Sequence, residues 1–393
     1  MIISKYNYFY TINGINYVFN SLSESIIEFP NETEDPEHYI NTHSDYFKKY
    51  KVLCSSEKQE HVILEKKRKL ISQNVNKDIN IEVTNKCNLS CEGCFNKLNY
   101  GERIDTFEKL RNSFENSIEY LKYEYQKNKI MSISISISGG EPLLFVERIS
   151  ELSKICKMNL PKEIYTFRIL TNGTLFTDQN ISLLCSLDNI EFYISVDNYR
   201  YMFISNEKNA HANFKKLKEN ILLIYKYTKK KIILRINVNL QEINSLKKII
   251  ENISKSECKN IVILSFSRWY DTYKKMEYGE LLPEVIKELY IESINNGICC
   301  LWNWKSNVDK YLACRIDGDC GYTIHSDGNF TLCPYSELNK TDSQLTKCME
   351  CTFLPICFGG CYLKNNTISS CLDYNMLAKS IEIHTYAKKV GAI

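Results

Sequence analysis

No stretch of this sequence reaches the roughly 18–20 consecutive apolar residues that a membrane-spanning helix needs, so a bilayer span is not expected. Neither sign of charge predominates: 50 Lys and Arg face 47 Asp and Glu, for a net charge of +3. That balance argues against dedicated nucleic-acid binding, which usually needs a concentrated basic face. Arginine is scarce beside lysine, isoleucine and asparagine, a bias of AT-rich coding and not of function. Repeats and low-complexity linkers are absent. The opening MIISKYNYFYTINGINYVF has Tyr and Asn breaking any apolar run, so no secretory signal is read there and a reducing cytoplasm is the expected address. The remainder is ordinary. With 44% hydrophobic and 25% charged residues in 393, the chain suits a folded protein of two or three domains and excludes a disordered or collagen-like one.

What the chain does have is 17 cysteines. In a reducing compartment clustered cysteines more often bind metal or do redox work than form disulfides. They fall into three sets. Cys54, Cys156, Cys185, Cys258, Cys299 and Cys300 are scattered and read mostly as small buried apolar residues. Cys87, Cys91 and Cys94 are tightly grouped in CNLSCEGC. A closed structural zinc site wants four ligands, and no fourth Cys or His lies nearby. Three thiolates leave one metal position open, which suits chemistry better than scaffolding. The third set crowds the C-terminal region: Cys314, Cys320, Cys333, Cys348, Cys351, Cys357, Cys361 and Cys371. Eight thiolates make two groups of four, and spacing alone leaves two zinc ions and two iron–sulfur clusters both open.

Between these sets the pattern is regular. The first 76 residues are mixed, with an Asn13-Gly14 pair between two β-prone runs that signals a hairpin. Helices are expected around 38–50 and 59–72, and the EKKRK charge run reads as a solvated face. From 79 onward, β-branched runs at 79–84, 131–138, 164–170, 190–196, 232–238 and 261–267 alternate with helix-period segments near 105–126, 145–157, 177–187, 212–227 and 243–255. In the longest helix Phe107, Leu110, Phe114, Ile118, Leu121 and Tyr125 share a face, and Asp105, followed by Glu108, is expected to cap it. Six strands alternating with helices imply parallel β/α units. Six are too few to close an eight-fold barrel, so the expected fold is α/β, a partial (β/α)6 barrel. Polar motifs sit just after the strands: CNLSCEGC after the first, GGEP (139–142) after the second, TNGT (171–174) after the third and SVDN (195–198) at the fourth, with Arg235 in the fifth. Parallel β/α folds bind ligands at the carboxyl ends of their strands, so these motifs are expected around one cavity.

Cysteines spaced C-x3-C-x2-C after the first strand, GGEP after the second and TNG after the third resemble the radical S-adenosylmethionine (radical SAM) superfamily. The eight later cysteines resemble its SPASM extension, matched in order, so that the resemblance covers about 79–371. It implies that Cys87, Cys91 and Cys94 hold a [4Fe-4S] cluster whose open iron S-adenosylmethionine chelates. Glu141 would lie near the amino group of that ligand, with Gly139 and Gly140 letting backbone approach. Asn172, Ser195 and Asp197 would sit near the sulfonium and ribose, and Arg235 near the carboxylate. Cys314, Cys320, Cys333 and Cys361 would bind one auxiliary [4Fe-4S] cluster, and Cys348, Cys351, Cys357 and Cys371 a second. Reductive cleavage of the sulfonium would give a 5′-deoxyadenosyl radical able to take hydrogen from unactivated carbon.

The resemblance further implies three cofactor clusters, a low-potential electron donor of flavodoxin or ferredoxin type, and a precursor peptide with a leader as substrate. An N-terminal hairpin followed by helices is similar to the winged-helix recognition domains of peptide-modifying relatives, which add a leader as a strand. The expected layout is a recognition-like domain at 1–76, the partial barrel at 77–276, a bridge at 277–313, and the SPASM region with a closing helix at 314–393. The expected reaction is oxidative cross-linking of a ribosomally made peptide, thioether first (as in sactipeptides), then carbon–carbon or ether. Alternatives are a formylglycine-forming maturase, an epimerase, and an iron–sulfur or zinc peptide-binding protein without chemistry. Two departures matter. Gly93, not an aromatic residue, precedes the third cysteine, and Phe95 follows it. Pro334 follows Cys333 where sulfatase-maturing relatives carry an Asp base, which disfavours the formylglycine reading. The six histidines show no ligand spacing. Asp317, Asp319 and Tyr335 are minor candidates for a base.

Overall fold

The computed structural model describes residues 1–31, 33–72, 76–91, 94, 104–187, 189–196, 207–240, 243–268, 281–302, 321–332, 348–357 and 372–393. The N-terminal part holds β1 (Ile2–Ile3), β2 (Asn7–Ile12), β3 (Ile15–Asn20), β4 (Ser25–Glu28), α1 (Pro36–Thr42), α2 (Ser44–Lys49), β5 (Leu53–Cys54) and α3 (Glu57–Ser72). The β/α part runs β6 (Asn76–Glu82), α4 (Phe107–Gln126), β7 (Ser132–Ser138), α5 (Val146–Asn159), β8 (Tyr165–Thr171), α6 (Asp178–Cys185), β9 (Ile190–Val196), α7 (Glu207–Thr228), β10 (Ile232–Val238), α8 (Ile243–Ser254) and β11 (Val262–Arg268). Then come α9 (Leu281–Asn295), β12 (Cys299–Cys300), β13 (Gly321–Ile324), β14 (Phe330–Thr331), α10 (Leu354–Cys357) and α11 (Leu372–Lys389).

The expected six strands β6 to β11 pair in sequence order, all parallel. This is the α/β parallel-sheet core of a partial barrel. The sheet is larger than six strands, however. Among the described residues its order is β12-β11-β10-β9-β8-β7-β6-β13-β14. Cys299 and Cys300 form β12, parallel to β11. The hairpin β13–β14, which lies in the eight-cysteine region, joins the opposite edge with β13 parallel to β6. One sheet therefore joins the barrel to the C-terminal region.

The serine–isoleucine alternation of β7 shows how the core sits. Ile133, Ile135 and Ile137 are buried in a cluster with Leu110 and Phe114 of α4 and Ile149 and Leu152 of α5. Ser134, Ser136 and Ser138 fall on the opposite face, because successive strand side chains alternate. The same alternation puts Ile79 and Ile81, Phe167 and Ile169, Phe192 and Ile194, and Leu234 and Ile236 among the helices. Parallel strands covered on both faces read as nearly continuous apolar runs. These strands do not, and their second face is mostly polar: it carries Asn80 and Glu82, Arg168, Glu191, Ser195, Arg235, Asn237 and Ser265, beside the apolar Leu170, Ile233 and Ile263. That polar face is the inside of the cup.

α4 buries Leu110, Phe114, Ile118 and Leu121 as the spacing predicts, with Phe107 and Tyr125 packed at its margins. Its cap differs from expectation. Thr106 is the N-cap residue, and the Asp105 carboxylate instead accepts from Thr84 Oγ1 (2.7 Å) and Arg148 Nη1 (3.0 Å). Tertiary partners have outcompeted the local capping bond. The helix expected at 38–50 is two helices, broken at His43, whose backbone (φ −108°, ψ 37°) is non-helical.

The N-terminal hairpin forms as its sequence predicts. Asn13 and Gly14 both have positive φ (51° and 78°), which matches the strand twist in a two-residue turn. The sheet β2–β3–β4 packs its Tyr10, Tyr17 and Phe19 face on Phe353, Ile356, Ala378 and Ile381 of the C-terminal region. Tyr8 OH donates to Glu382 Oε1 (2.7 Å), and Lys379 Nζ donates to the same carboxylate (3.0 Å), which Lys287 also reaches. Burial raises the Glu382 carboxyl, but these bonds outweigh it and leave its pKa below the ordinary value. Because the folded pKa is depressed, this carboxylate stabilises the fold above its unfolded pKa, and the benefit is lost as pH falls through the folded one. Glu382→Gln is expected to lower stability at pH 7 and to flatten the acid limb of a plot of unfolding free energy against pH. An unchanged acid limb would contradict this role.

Candidate functional site

The site forms where β6, β7 and β8 end. β6 runs on through Val83 and Thr84 to Cys87, and the GGEP residues cross directly over that exit. Gly140 N donates to Thr84 O (2.8 Å) and Glu141 N to Lys86 O (2.8 Å). The two glycines allow this approach. A Cβ at Gly139, where φ is +128°, would stand 2.2 Å from Thr84 O, and one at Gly140 would stand 2.0 Å from Lys86 O. The backbone they admit is thus the chain's own. Pro142 opens a short 3-10 turn (Pro142–Phe145), and Glu141 caps it by accepting from Leu143 N at 3.0 Å. Every residue of GGEP has a mechanical reason: close approach, close approach, cap, and a first-turn proline that needs no N–H donor.

Glu141 does more than cap. It is fully buried, and its carboxylate also accepts from Thr171 Oγ1 (2.6 Å) and from Asn172 N (2.8 Å). Those two residues begin the TNGT turn at the end of β8. Asn172 in turn reaches the cysteine loop. Its Nδ2 donates to Asn88 Oδ1 (2.9 Å) and lies 3.9 Å from Cys87 Sγ. Asn88 Nδ2 donates back to Thr174 Oγ1 (2.9 Å). Gly173, at φ +72°, allows the turn, and Asn220 Nδ2 donates to its carbonyl (2.7 Å). GGEP, TNGT and the three-cysteine loop are therefore one bonded unit, as their shared position after consecutive strands predicted. Sequence reasoning missed Thr84, Asn88 and Thr171; Asn88 stood inside CNLSCEGC and Thr171 inside TNGT, whereas Thr84 closed the first strand run with no motif of its own.

Cys87 is exposed at this rim, and Cys91 and Cys94 are half-buried on the same loop. Three thiols on one loop form a donor set suited to an iron–sulfur cluster. Among the described residues, no three His, Cys, Asp or Glu side chains are gathered closely enough to hold a metal ion, so the loop presents these donors without closing them around a centre. Farther round the cup, Arg235 lies in register with Ser195 on β9 and Ser265 on β11. Below them Arg168 Nε lies 3.5 Å from Glu191 Oε2, and Tyr193 OH donates to the same oxygen (3.5 Å). Burial raises the Tyr193 phenol pKa. Asp197 lies outside the described residues.

At the other edge His325 Nδ1 is 2.6 Å from Glu82 Oε2, and its Nε2 is 2.7 Å from Thr331 Oγ1. Both His325 and Glu82 are buried, so His325 is a satisfied core histidine that ties β13 to β6. Of the eight C-terminal cysteines, Cys348, Cys351 and Cys357 are described; they are half-buried around α10. Cys314, Cys320, Cys333, Cys361 and Cys371 lie outside the described residues, as do Asp317, Asp319, Pro334 and Tyr335. In the scattered set, Cys54, Cys156 and Cys258 are buried; burial holds the Cys54 thiol up at about 11. Cys299 is exposed, with Lys231 Nζ 2.9 Å from its sulfur.

Residues 81–253, which contain the three-cysteine loop, GGEP, TNGT and Arg235, match the model of the radical SAM superfamily. This is a radical SAM domain. Such a domain works with S-adenosylmethionine and a [4Fe-4S] cluster, and the radical SAM match begins at Ile81 in β6, just before the three-cysteine loop. Among curated proteins, the chain is 27% identical over 271 residues to the radical SAM cyclopropyl synthase TigE of Paramaledivibacter caminithermalis, covering 62% of this chain and 54% of that one. The chain spans 38% and 54% of the lengths of the two curated relatives it matches. Among solved structures, it is similar to Streptococcus suis SuiB bound to precursor peptide SuiA, with a TM-score of 0.52, 17% identity, and 93% and 97% of the two chains covered. It is also similar to anSMEcpe with bound AdoMet and the Cp18Cys peptide, with a TM-score of 0.53, 18% identity, and 80% and 97% covered. At these identities the structural likeness is one of fold. Among the described residues, no helix is long and apolar enough to cross a membrane.

Proposed function

We propose that this chain is a radical SAM enzyme that oxidatively cross-links a ribosomally synthesised precursor peptide. The observation that carries the reading is the bonded unit of cysteine loop, GGEP and TNGT at the strand ends. Cys87, Cys91 and Cys94 would hold the cluster, and the cluster with S-adenosylmethionine would supply a 5′-deoxyadenosyl radical. Ser195 and Arg235, level with each other on neighbouring strands, and Asp197 would contact that ligand from the far side of the cup, while Glu141 and Asn172 hold the near side in shape. The cup's polar inner face suits a peptide whose backbone amides need hydrogen-bonding partners. The SPASM cysteines would hold two auxiliary clusters, given in full above, that accept the electron released from the substrate. A flavodoxin- or ferredoxin-type donor would supply the first electron.

Support for a peptide substrate comes from the fold shared with SuiB and anSMEcpe, both solved with peptides. Among the described residues no further strand pairs with the outer edges of β2 and β4, which suits a leader bound as an added strand. The similarity to a protein named cyclopropyl synthase moves carbon–carbon ring closure ahead of a thioether. Either link removes two hydrogens from the peptide. The test incubates reconstituted enzyme with S-adenosylmethionine, a reductant and the peptide encoded beside its gene. A product lighter by two hydrogens per link is expected, with any peptide thiol still open to iodoacetamide if the bond is carbon–carbon. S-adenosylmethionine cleavage with unchanged peptide mass would overturn cross-linking, and solvent deuterium in that peptide would then identify epimerisation.

A further inference from the structure

The exit of β6, four residues ahead of Cys87, is gripped by a pair of charged residues that no motif includes. Arg148, on the first turn of α5, donates from Nη1 to Val83 O (2.8 Å) and to Asp105 Oδ1 (3.0 Å). Its guanidinium carbon lies 4.0 Å from the Phe145 ring centroid and 5.1 Å from that of Phe107. Asp105 Oδ2 accepts from Thr84 Oγ1 (2.7 Å), and that hydroxyl oxygen accepts from Lys86 N (3.1 Å). A continuous chain of bonds thus runs from α5 through Asp105 and Thr84 to the residue before Cys87. The ion pair is largely shielded, with 18% of the Arg148 side chain and 9% of the Asp105 side chain exposed. Shielding strengthens such a pair and makes its geometry matter.

We propose that Asp105 and Arg148 form a clamp that fixes the three-cysteine loop against the GGEP strap, and that Arg148 is thereby a positioning residue for S-adenosylmethionine binding; this rests on the function proposed above. The clamp takes Val83 O and the Thr84 hydroxyl, atoms left free by the strap, which takes Thr84 O and Lys86 O. With one side free, the loop root could swing away from the strap and carry Cys87 out of line with Asn172. Arginine suits the role better than lysine. Both bonds leave one nitrogen, Nη1, and a lysine ammonium carries enough donors for both, but it lacks the planar cation that lies 4.0 Å and 5.1 Å from the Phe145 and Phe107 ring centroids.

The test has two arms. The first reads the metal-free protein by hydrogen exchange. In Arg148→Gln the amides of Lys86, Gly140 and Glu141 are expected to exchange about tenfold faster, while those of β8 and β9 stay unchanged. Equal acceleration throughout the sheet, or none at the loop root, would overturn the clamp. The second arm titrates S-adenosylmethionine into reduced protein of matched iron content and follows the electron paramagnetic resonance spectrum. Half-saturation in Arg148→Gln is expected to shift about tenfold upward, with Arg148→Lys in between. An unshifted titration would overturn the positioning role. A wild-type spectrum that ignores S-adenosylmethionine would overturn the radical SAM reading instead and leave the hydrogen-exchange arm to decide the clamp. Asp105→Asn, which keeps the shape of the side chain, serves in both arms if Arg148→Gln does not fold.

Discussion

Alanine at position 140 will abolish S-adenosylmethionine cleavage and destabilise the protein by about 3 kcal/mol or more, the range in which backbone strain and lost buried bonds fall. The added Cβ would stand 2.0 Å from Lys86 O and 2.4 Å from Lys86 C. Both are backbone atoms, so no side chain can swing aside, and the strap or the loop root must move. Either movement breaks the bonds from Gly140 N to Thr84 O and from Glu141 N to Lys86 O, which hold the cysteine loop in place. Gly14→Ala is the control. Its φ is +78° and nothing lies within 4 Å of a Cβ there, so it should cost only about 1 kcal/mol of backbone strain and leave cleavage intact. Denaturant unfolding and 5′-deoxyadenosine assays on both variants check the contrast. A fully active Gly140→Ala would show that strap and loop root are not packed as described.

Glu141→Gln has the second large effect. The carboxylate is fully buried and takes three donors: Leu143 N, Thr171 Oγ1 and Asn172 N. A glutamine amide keeps one acceptor oxygen and turns its NH2 toward an N–H or O–H that also wants to donate. An unmatched buried donor pair costs about 2–3 kcal/mol. The TNGT turn should loosen, and with it the contact of Asn172 with Asn88 and Cys87. The expected result is a lower Tm for metal-free protein together with at least a hundredfold drop in cleavage rate. A Glu141→Gln protein as stable as wild type would contradict the role of this carboxylate as the junction of two motifs.

Both predictions rest on something legible in the sequence, which placed GGEP and TNGT after the correct strands. What it could not show was what the residues of GGEP touch. Glu141 was expected near the ligand's amino group, and nothing in the motif announced that its carboxylate also accepts from Leu143, Thr171 and Asn172; a motif states which residues are required, not which partners require them. Strand and helix periods were readable because burial enforces them. The Ile–Ser alternation of β7 marked a sheet with one polar face, a signal visible in advance. The Asp105 cap was misread because local patterns cannot weigh Thr84 and Arg148, which are 21 and 43 residues away in sequence. β12 and the β13–β14 hairpin escaped notice for a different reason. Two- and four-residue strands at a sheet edge carry too few alternations to stand out, and their place is fixed by the strands they join.

The central claim is that the loop bearing Cys87, Cys91 and Cys94 enables reductive cleavage of S-adenosylmethionine. Its most direct test is chromatographic measurement of 5′-deoxyadenosine from anaerobically reconstituted protein given S-adenosylmethionine and dithionite. The account predicts that wild-type protein forms it and that a variant with all three cysteines changed to alanine forms none. Iron- and sulfide-loaded wild-type protein that yields no 5′-deoxyadenosine, or a triple variant that yields as much, would contradict it.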